Sequence, residues 1–166
     1  MNLKELGRLL GDIKTEEIVA LKNLLPDRDR IFLIGNGGSN AVCSHLAQDY
    51  TKALGYPAVS FSDSSRLTCY INDYGRDKAY AKFIEHFATR ASLCILISSS
   101  GNSNNILEAA KFCKSRSYSF IILTGFDTDN KLRKKYSDSA LLDFYVPSKD
   151  YGIVENLHSI FLHSVI

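Results

Sequence analysis

The stretch Ile31-Phe-Leu-Ile-Gly-Asn-Gly-Gly-Ser-Asn40 decides the fold. Ile31 to Ile34 is a short apolar run, the pattern of a strand buried on both faces. It stops at Gly35-Asn-Gly-Gly-Ser39, and a helical pattern runs from about 40 to 54. Glycines let a backbone close on a ligand, and the free N–H groups of a helix's first turn point at it. Leu93-Cys-Ile-Leu-Ile97 repeats the arrangement, followed by Ser98-Ser-Ser-Gly-Asn-Ser103 and a helix from Asn104. Two polar turns at the ends of two strands suggest one anion cradle for a phosphorylated small molecule.

The rest of the chain extends this pattern. Leucines and isoleucines between residues 3 and 25 recur at helical spacing, with a break near Gly11, and Pro26 follows. Residues 58–61 read as a strand, 64–72 as a short helix and Asn72-Asp-Tyr-Gly75 as a turn. Helices are expected over 77–89, 104–115 and 131–136, and strands over 119–124 and 141–146. A last helix starts near Gly152. Alternating strands and helices indicate an α/β chain with a parallel sheet covered on both faces, and ligands then sit at the carboxyl ends of the strands.

The 166 residues are enough for one domain with its own core. Residues 1–166 are therefore expected to form a single domain, with the helical segment 3–25 at its N-terminus. The chain is 45% hydrophobic and 23% charged, with a net charge of +2, which gives no electrostatic case for nucleic acid or an anionic membrane. No apolar run suits a membrane span, and Met-Asn-Leu-Lys-Glu lacks the core of a signal peptide. Cys43, Cys69, Cys94 and Cys113 are scattered, which fits reduced, buried thiols in a cytoplasmic protein. The N-terminal helical segment looks too short to be covered within one chain, which points to an interface between copies.

The chemistry-bearing residues fall into two groups. Ser98, Ser100 and Ser103 bring hydroxyls to a helix start, which suits a phosphate dianion as well as a simple helix cap. His45 and Asp49 are four apart and share a helix face. With Glu155 and His163 they make a set of N/O donors suited to zinc. Residues 155 and 163 are eight apart, about 12 Å along an ideal helix.

Gly35-Asn-Gly-Gly-Ser39 with His45 beyond it, Ser98-Ser-Ser-Gly-Asn-Ser103, Leu123-Thr-Gly125 and a last helix with His158 and His163 resemble the sugar-isomerase (SIS) domain family, in particular its phosphoheptose isomerase branch. The resemblance covers about residues 30–166. It implies a three-layer sandwich, a mainly parallel five-stranded sheet flanked by helices. It implies interconversion of sedoheptulose 7-phosphate and a heptose 7-phosphate, feeding lipopolysaccharide or capsule. On the family's pattern Asn36, Gly37, Ser39, Asn72, Asp73, Ser98, Ser99, Ser100, Ser103 and Glu155 touch the substrate. Asp49 and His163 are catalytic, and His45, Asp49, Glu155 and His163 hold one zinc per subunit. A homotetramer in the cytoplasm is also implied. The chain departs from the family where Asp49 replaces a usual Glu and Glu155 a usual Gln. Other members of the family are non-catalytic regulators that bind phosphosugars or a replication initiator, and these departures leave that alternative open. His86 and His158 are read as structural; Lys52, Arg66 and Lys149 are further candidates for phosphate or hydroxyls.

Overall fold

The computed structural model describes residues 1–166. Two N-terminal helices, α1 (Leu3–Gly11) and α2 (Thr15–Leu24), precede the strand β1 (Ile31–Gly35). Then follow α3 (Gly37–Leu54), β2 (Ala58–Ser60), α4 (Ser64–Tyr74), α5 (Ala79–Phe87) and β3 (Leu93–Ser98). The second half contains α6 (Asn104–Arg116), β4 (Ser119–Gly125), α7 (Lys131–Tyr136), a 3-10 turn at Ser137–Ser139, β5 (Asp143–Val146) and α8 (Tyr151–His163).

All strand pairs are parallel, in the order β2-β1-β3-β4-β5. Every residue of β1 and β3 is buried, which is why these strands read as continuous apolar runs. Their side chains alternate between two cores. Ile31, Leu33, Ile95 and Ile97 pack under α3 and α8; Phe32, Ile34, Cys94 and Leu96 pack under α5 and α6. This gives the expected three layers. The chain winds outward from β1 to β2, then returns to the other side of β1 with β3. Strand order therefore reverses between β1 and β3, and a crevice opens above their carboxyl ends.

Four expectations need correction. Helix α3 begins at Gly37 inside the glycine turn, three residues ahead of the sequence reading. Asn72 and Asp73 are not in a turn: α4 continues through Tyr74 and stops at Gly75, whose φ is 79°. The N-terminal segment does break at Gly11 as expected, yet its own chain covers one side of it. Leu9, Leu21 and Leu25 are buried in the α3–α8 core, and of its large apolar residues only Leu3, Leu10 and Val19 remain exposed. Of the cysteines, three are buried, but Cys69 is exposed on α4. No helix is long and apolar enough to cross a membrane.

Candidate active site

The crevice between β1 and β3 is a cleft of about 250 Å³. The β1–α3 turn lines it with Asn36, Gly37, Gly38 and Ser39, and the β3–α6 turn with Ser98, Ser99, Ser100 and Ser103. Tyr151 and Glu155 of α8 close one side. Both halves of the sequence-predicted cradle thus meet in one place. Gly37 has φ +52°, a left-handed conformation that glycine adopts without strain and that lets the chain turn from strand into helix. The α6 start follows the same turn, so the first-turn N–H groups of two helices lie beside the serines.

Ser99 Oγ is buried and has no hydrogen-bond partner, as have Thr124 Oγ1 and His158 Nδ1. Ser99 lines the cleft between Ser98 and Ser100. The other serines are partly occupied: Ser98 Oγ bonds Ser103 Oγ at 3.4 Å, and Ser100 Oγ accepts the Asn102 N–H at 3.2 Å.

Glu155 enters this cleft from α8. A Cβ at Gly38 would overlap its carboxylate, so only glycine permits the approach. Burial pushes the Glu155 carboxyl above its ordinary range, and the Ser39 backbone N–H works in the opposite direction. The carboxylate faces the start of α3, where backbone N–H groups favour negative charge.

A second cluster lies further along the same two helices. Asp49 Oδ2 sits 3.2 Å from His45 Nε2 and 3.2 Å from His163 Nε2. The ligand atoms of these three residues all lie within 4.8 Å of one another. Tyr50 holds the helices in this arrangement: its buried hydroxyl donates to the Leu162 carbonyl at 2.9 Å, tying α3 to α8. His163 Nδ1 lies 2.7 Å from the Ser159 carbonyl, which only accepts, so Nδ1 carries the proton. In the neutral ring Nε2 then presents a lone pair to Asp49. Imidazole and carboxylate lone pairs aimed at one point fit a divalent cation, and a metal-binding histidine is commonly oriented through its other nitrogen in this way. The donor set suits zinc. Glu155 stands apart from this triplet.

The remaining predicted residues are scattered. Asn72 and Asp73 are exposed on α4, bonded to each other at 3.0 Å, and do not line the cleft. The Arg66 guanidinium lies over Phe87, and Lys149 pairs with Asp127 at 2.8 Å. His86 Nδ1 meets the Tyr70 hydroxyl at 2.7 Å. His158 is fully buried, and its Nε2 bonds the Thr124 carbonyl at 3.0 Å. Sequence reasoning missed three residues at the cleft: Tyr151 on its wall, and Tyr80 and Asn105 behind Asn36. Asn105 stood in plain view beside the serine turn, but nothing local singled out Tyr80.

Comparison with known proteins agrees with this geometry. Residues 16–125 match the family model described as SIS domain. A phosphoheptose isomerase of Fusobacterium nucleatum is 30% identical over 159 residues, spanning 92% of this chain and 79% of that protein. One from Pectobacterium atrosepticum is 32% identical over 154 residues, spanning 89% and 77%. The solved structure of phosphoheptose isomerase GmhA from Neisseria gonorrhoeae superposes with a TM-score of 0.85 at 28% identity, covering 96% of this chain and 89% of that one.

Proposed function

We propose that this chain, which belongs to the SIS-domain family, is a phosphoheptose isomerase that interconverts sedoheptulose 7-phosphate and D-glycero-D-manno-heptose 7-phosphate. The observation that carries the reading is that α3 and α8 both lead from the polar cleft, which Ser39 and Glu155 line, to the cluster of His45, Asp49 and His163. A sugar with its phosphate in the serine turn would extend along these helices toward Asp49 and His163.

The roles follow from the chemistry. Ser98, Ser99, Ser100 and Ser103, with the α6 N–H groups, bind the phosphate. Asn36, Gly37, Ser39 and Glu155 meet the sugar oxygens. Asp49 takes the carbon-bound proton and returns it to the neighbouring carbon, while His163 moves the hydroxyl proton. His45, Asp49 and His163 would hold one zinc per subunit, without Glu155, which stands at Gly38. Zinc bound there supplies Lewis-acid polarisation of the carbonyl oxygen.

We place the enzyme in the cytoplasm as a homotetramer acting in lipopolysaccharide or capsule synthesis. Helix α4 supports assembly: none of its residues is buried, and Ile71 and Tyr74 are exposed. Asn72 and Asp73 would then border a substrate held by a neighbouring copy.

The test is turnover of sedoheptulose 7-phosphate by the purified chain, with and without added zinc. Production of the aldose supports the reading. Tight binding of the sugar phosphate without any turnover would replace it with a phosphosugar-binding regulator.

A further inference from the structure

Behind the cleft, three side chains form a closed polar clamp. Asn36 Nδ2 donates to Asn105 Oδ1 at 3.0 Å, and Asn105 Nδ2 donates back to Asn36 Oδ1 at 2.8 Å. The Tyr80 hydroxyl lies 2.7 Å from the Gly35 carbonyl and 3.0 Å from Asn36 Oδ1, sharing its one proton between them. Tyr80 is buried on α5, Asn105 is buried on α6, and Asn36 closes β1. The clamp therefore joins the glycine turn to the serine turn, whose relative placement defines the cleft.

The clamp also fixes which way Asn36 faces. Asn105 Oδ1 accepts the Ile106 backbone N–H at 3.0 Å, which sets the orientation of the Asn105 amide. Asn105 Nδ2 must then meet an acceptor, and Asn36 Oδ1 is that acceptor. Asn36 Oδ1 is filled by Asn105 and Tyr80, and one of its two Nδ2 hydrogens is taken by Asn105. A single N–H is left. Burial pushes the Tyr80 phenol up to about 12, so it keeps its proton at neutral pH.

We infer that Tyr80 and Asn105 are positioning residues that hold Asn36 as a donor-only group, so that this point of the cleft selects an oxygen acceptor on the ligand. This rests on the isomerase reading for its substrate. A fixed N–H suits a phosphate or other acceptor oxygen at the cleft end of the sugar, since a donor already aimed at its acceptor needs no reorganisation on binding. An amide free to flip would present its carbonyl half of the time and repel that oxygen.

The test uses the full chain with two variants, Tyr80→Phe and Asn105→Leu. The first removes the phenol donor and leaves the Asn36–Asn105 pair; the second removes both the acceptor of the Asn36 N–H and the amide donor to its Oδ1. In the wild-type chain, the two Nδ2 protons of Asn36 should exchange with water at rates at least about tenfold apart by NMR, because only one is bonded. In Asn105→Leu the rates should converge. On sedoheptulose 7-phosphate, KM should rise roughly threefold or more in Asn105→Leu, and less in Tyr80→Phe, with kcat changed less than about twofold, the split expected when a binding contact away from the reacting carbons is lost. A merely structural role would lower the melting temperature without that split. Equal exchange in the wild-type chain, or a rate difference that survives Asn105→Leu, overturns the inference. So does unchanged KM in both variants of an active enzyme. If the wild-type chain has no turnover at all, the isomerase reading fails, and the exchange rates alone decide how Asn36 is held.

Discussion

Asp49 and His163 meet across two helices through one oxygen and one nitrogen, Oδ2 and Nε2, 3.2 Å apart. The same oxygen also faces His45 Nε2 at 3.2 Å. One carboxylate atom thus serves two imidazoles. His163 has its other nitrogen committed to the Ser159 carbonyl, so in the neutral ring its lone pair points at Asp49. Such an arrangement is satisfied by a proton or a cation between the rings and the carboxylate. Proton transfer and metal binding therefore compete for His163 Nε2, its one uncommitted nitrogen, and would not both occupy it at once.

Substitution of this pair should separate the reaction from binding. His163→Ala and Asp49→Ala should each lower kcat by about 10²–10⁴-fold, the usual contribution of a proton-transfer group. Zinc measured by mass spectrometry should fall well below the roughly one ion per chain expected of the wild type. Sugar-phosphate affinity should change little, because the serine turn is remote. Normal turnover by metal-free His163→Ala would remove both roles.

The serine turn gives a prediction on affinity alone. Ser99 lines the cleft and its Oγ has no partner within the chain, so a phosphate seated in the turn is the group its hydroxyl would bond, and Ser99→Ala removes that hydroxyl. Losing a hydrogen bond to a charged phosphate should weaken binding by about 1.5–3 kcal/mol. Ser100→Ala should also weaken it, with a smaller effect because its Oγ already accepts from Asn102. Calorimetry showing unchanged affinity in both variants would take the phosphate out of this turn.

Local pattern explains why the cradle was legible. β1 and β3 are apolar throughout because both faces are covered, and glycine and serine follow each strand. The same locality misplaced two boundaries. Gly37-Gly38 has poor helix propensity and reads as loop, yet α3 starts there. Asn72-Asp-Tyr-Gly75 has turn composition, yet α4 runs to Tyr74. The pairing of His45 with Asp49 follows from helical spacing. Their meeting with His163 depends on the Tyr50–Leu162 bond, between residues 112 apart in the chain. Glu155 points to Gly38 rather than to the His–Asp–His triplet through tertiary packing, which no local spacing reports. Tyr80 lies 44 residues from Asn36 and reads as an ordinary helix aromatic.

Glu155→Gln should strengthen anion binding. The carboxylate enters the cleft beside the α3 start, so it opposes the phosphate dianion electrostatically. The amide keeps the shape and removes the charge. Affinity for a sugar phosphate should rise roughly three- to tenfold, up to about 1.4 kcal/mol. Weaker binding, measured by calorimetry, would mean that the carboxylate's contacts with the sugar hydroxyls outweigh its repulsion of the phosphate.

His158 should make stability fall in acid. Burial pushes its imidazole down to about 4 from an ordinary 6.5, with the Thr124 carbonyl acting the other way. Its ring is fully buried, bonded through Nε2 to Thr124, and its Nδ1 is without a partner. The folded state therefore holds the neutral ring, while the unfolded chain takes up a proton once the pH drops below about 6.5. The stabilisation linked to the neutral ring is fully present above pH 6.5. It declines as the pH falls from 6.5 toward about 4 and is flat below that. At about 1.36 kcal/mol per pKa unit, the loss across this window is about 3 kcal/mol. His158→Gln keeps an N–H donor for Thr124 but cannot titrate, so it should remove this part of the slope. Urea unfolding at pH 7, 6, 5 and 4 reads the difference between the two proteins. The carboxylates protonate in both, so their share cancels in the comparison. Parallel stability curves for the wild type and His158→Gln would mean that the buried ring is not held neutral.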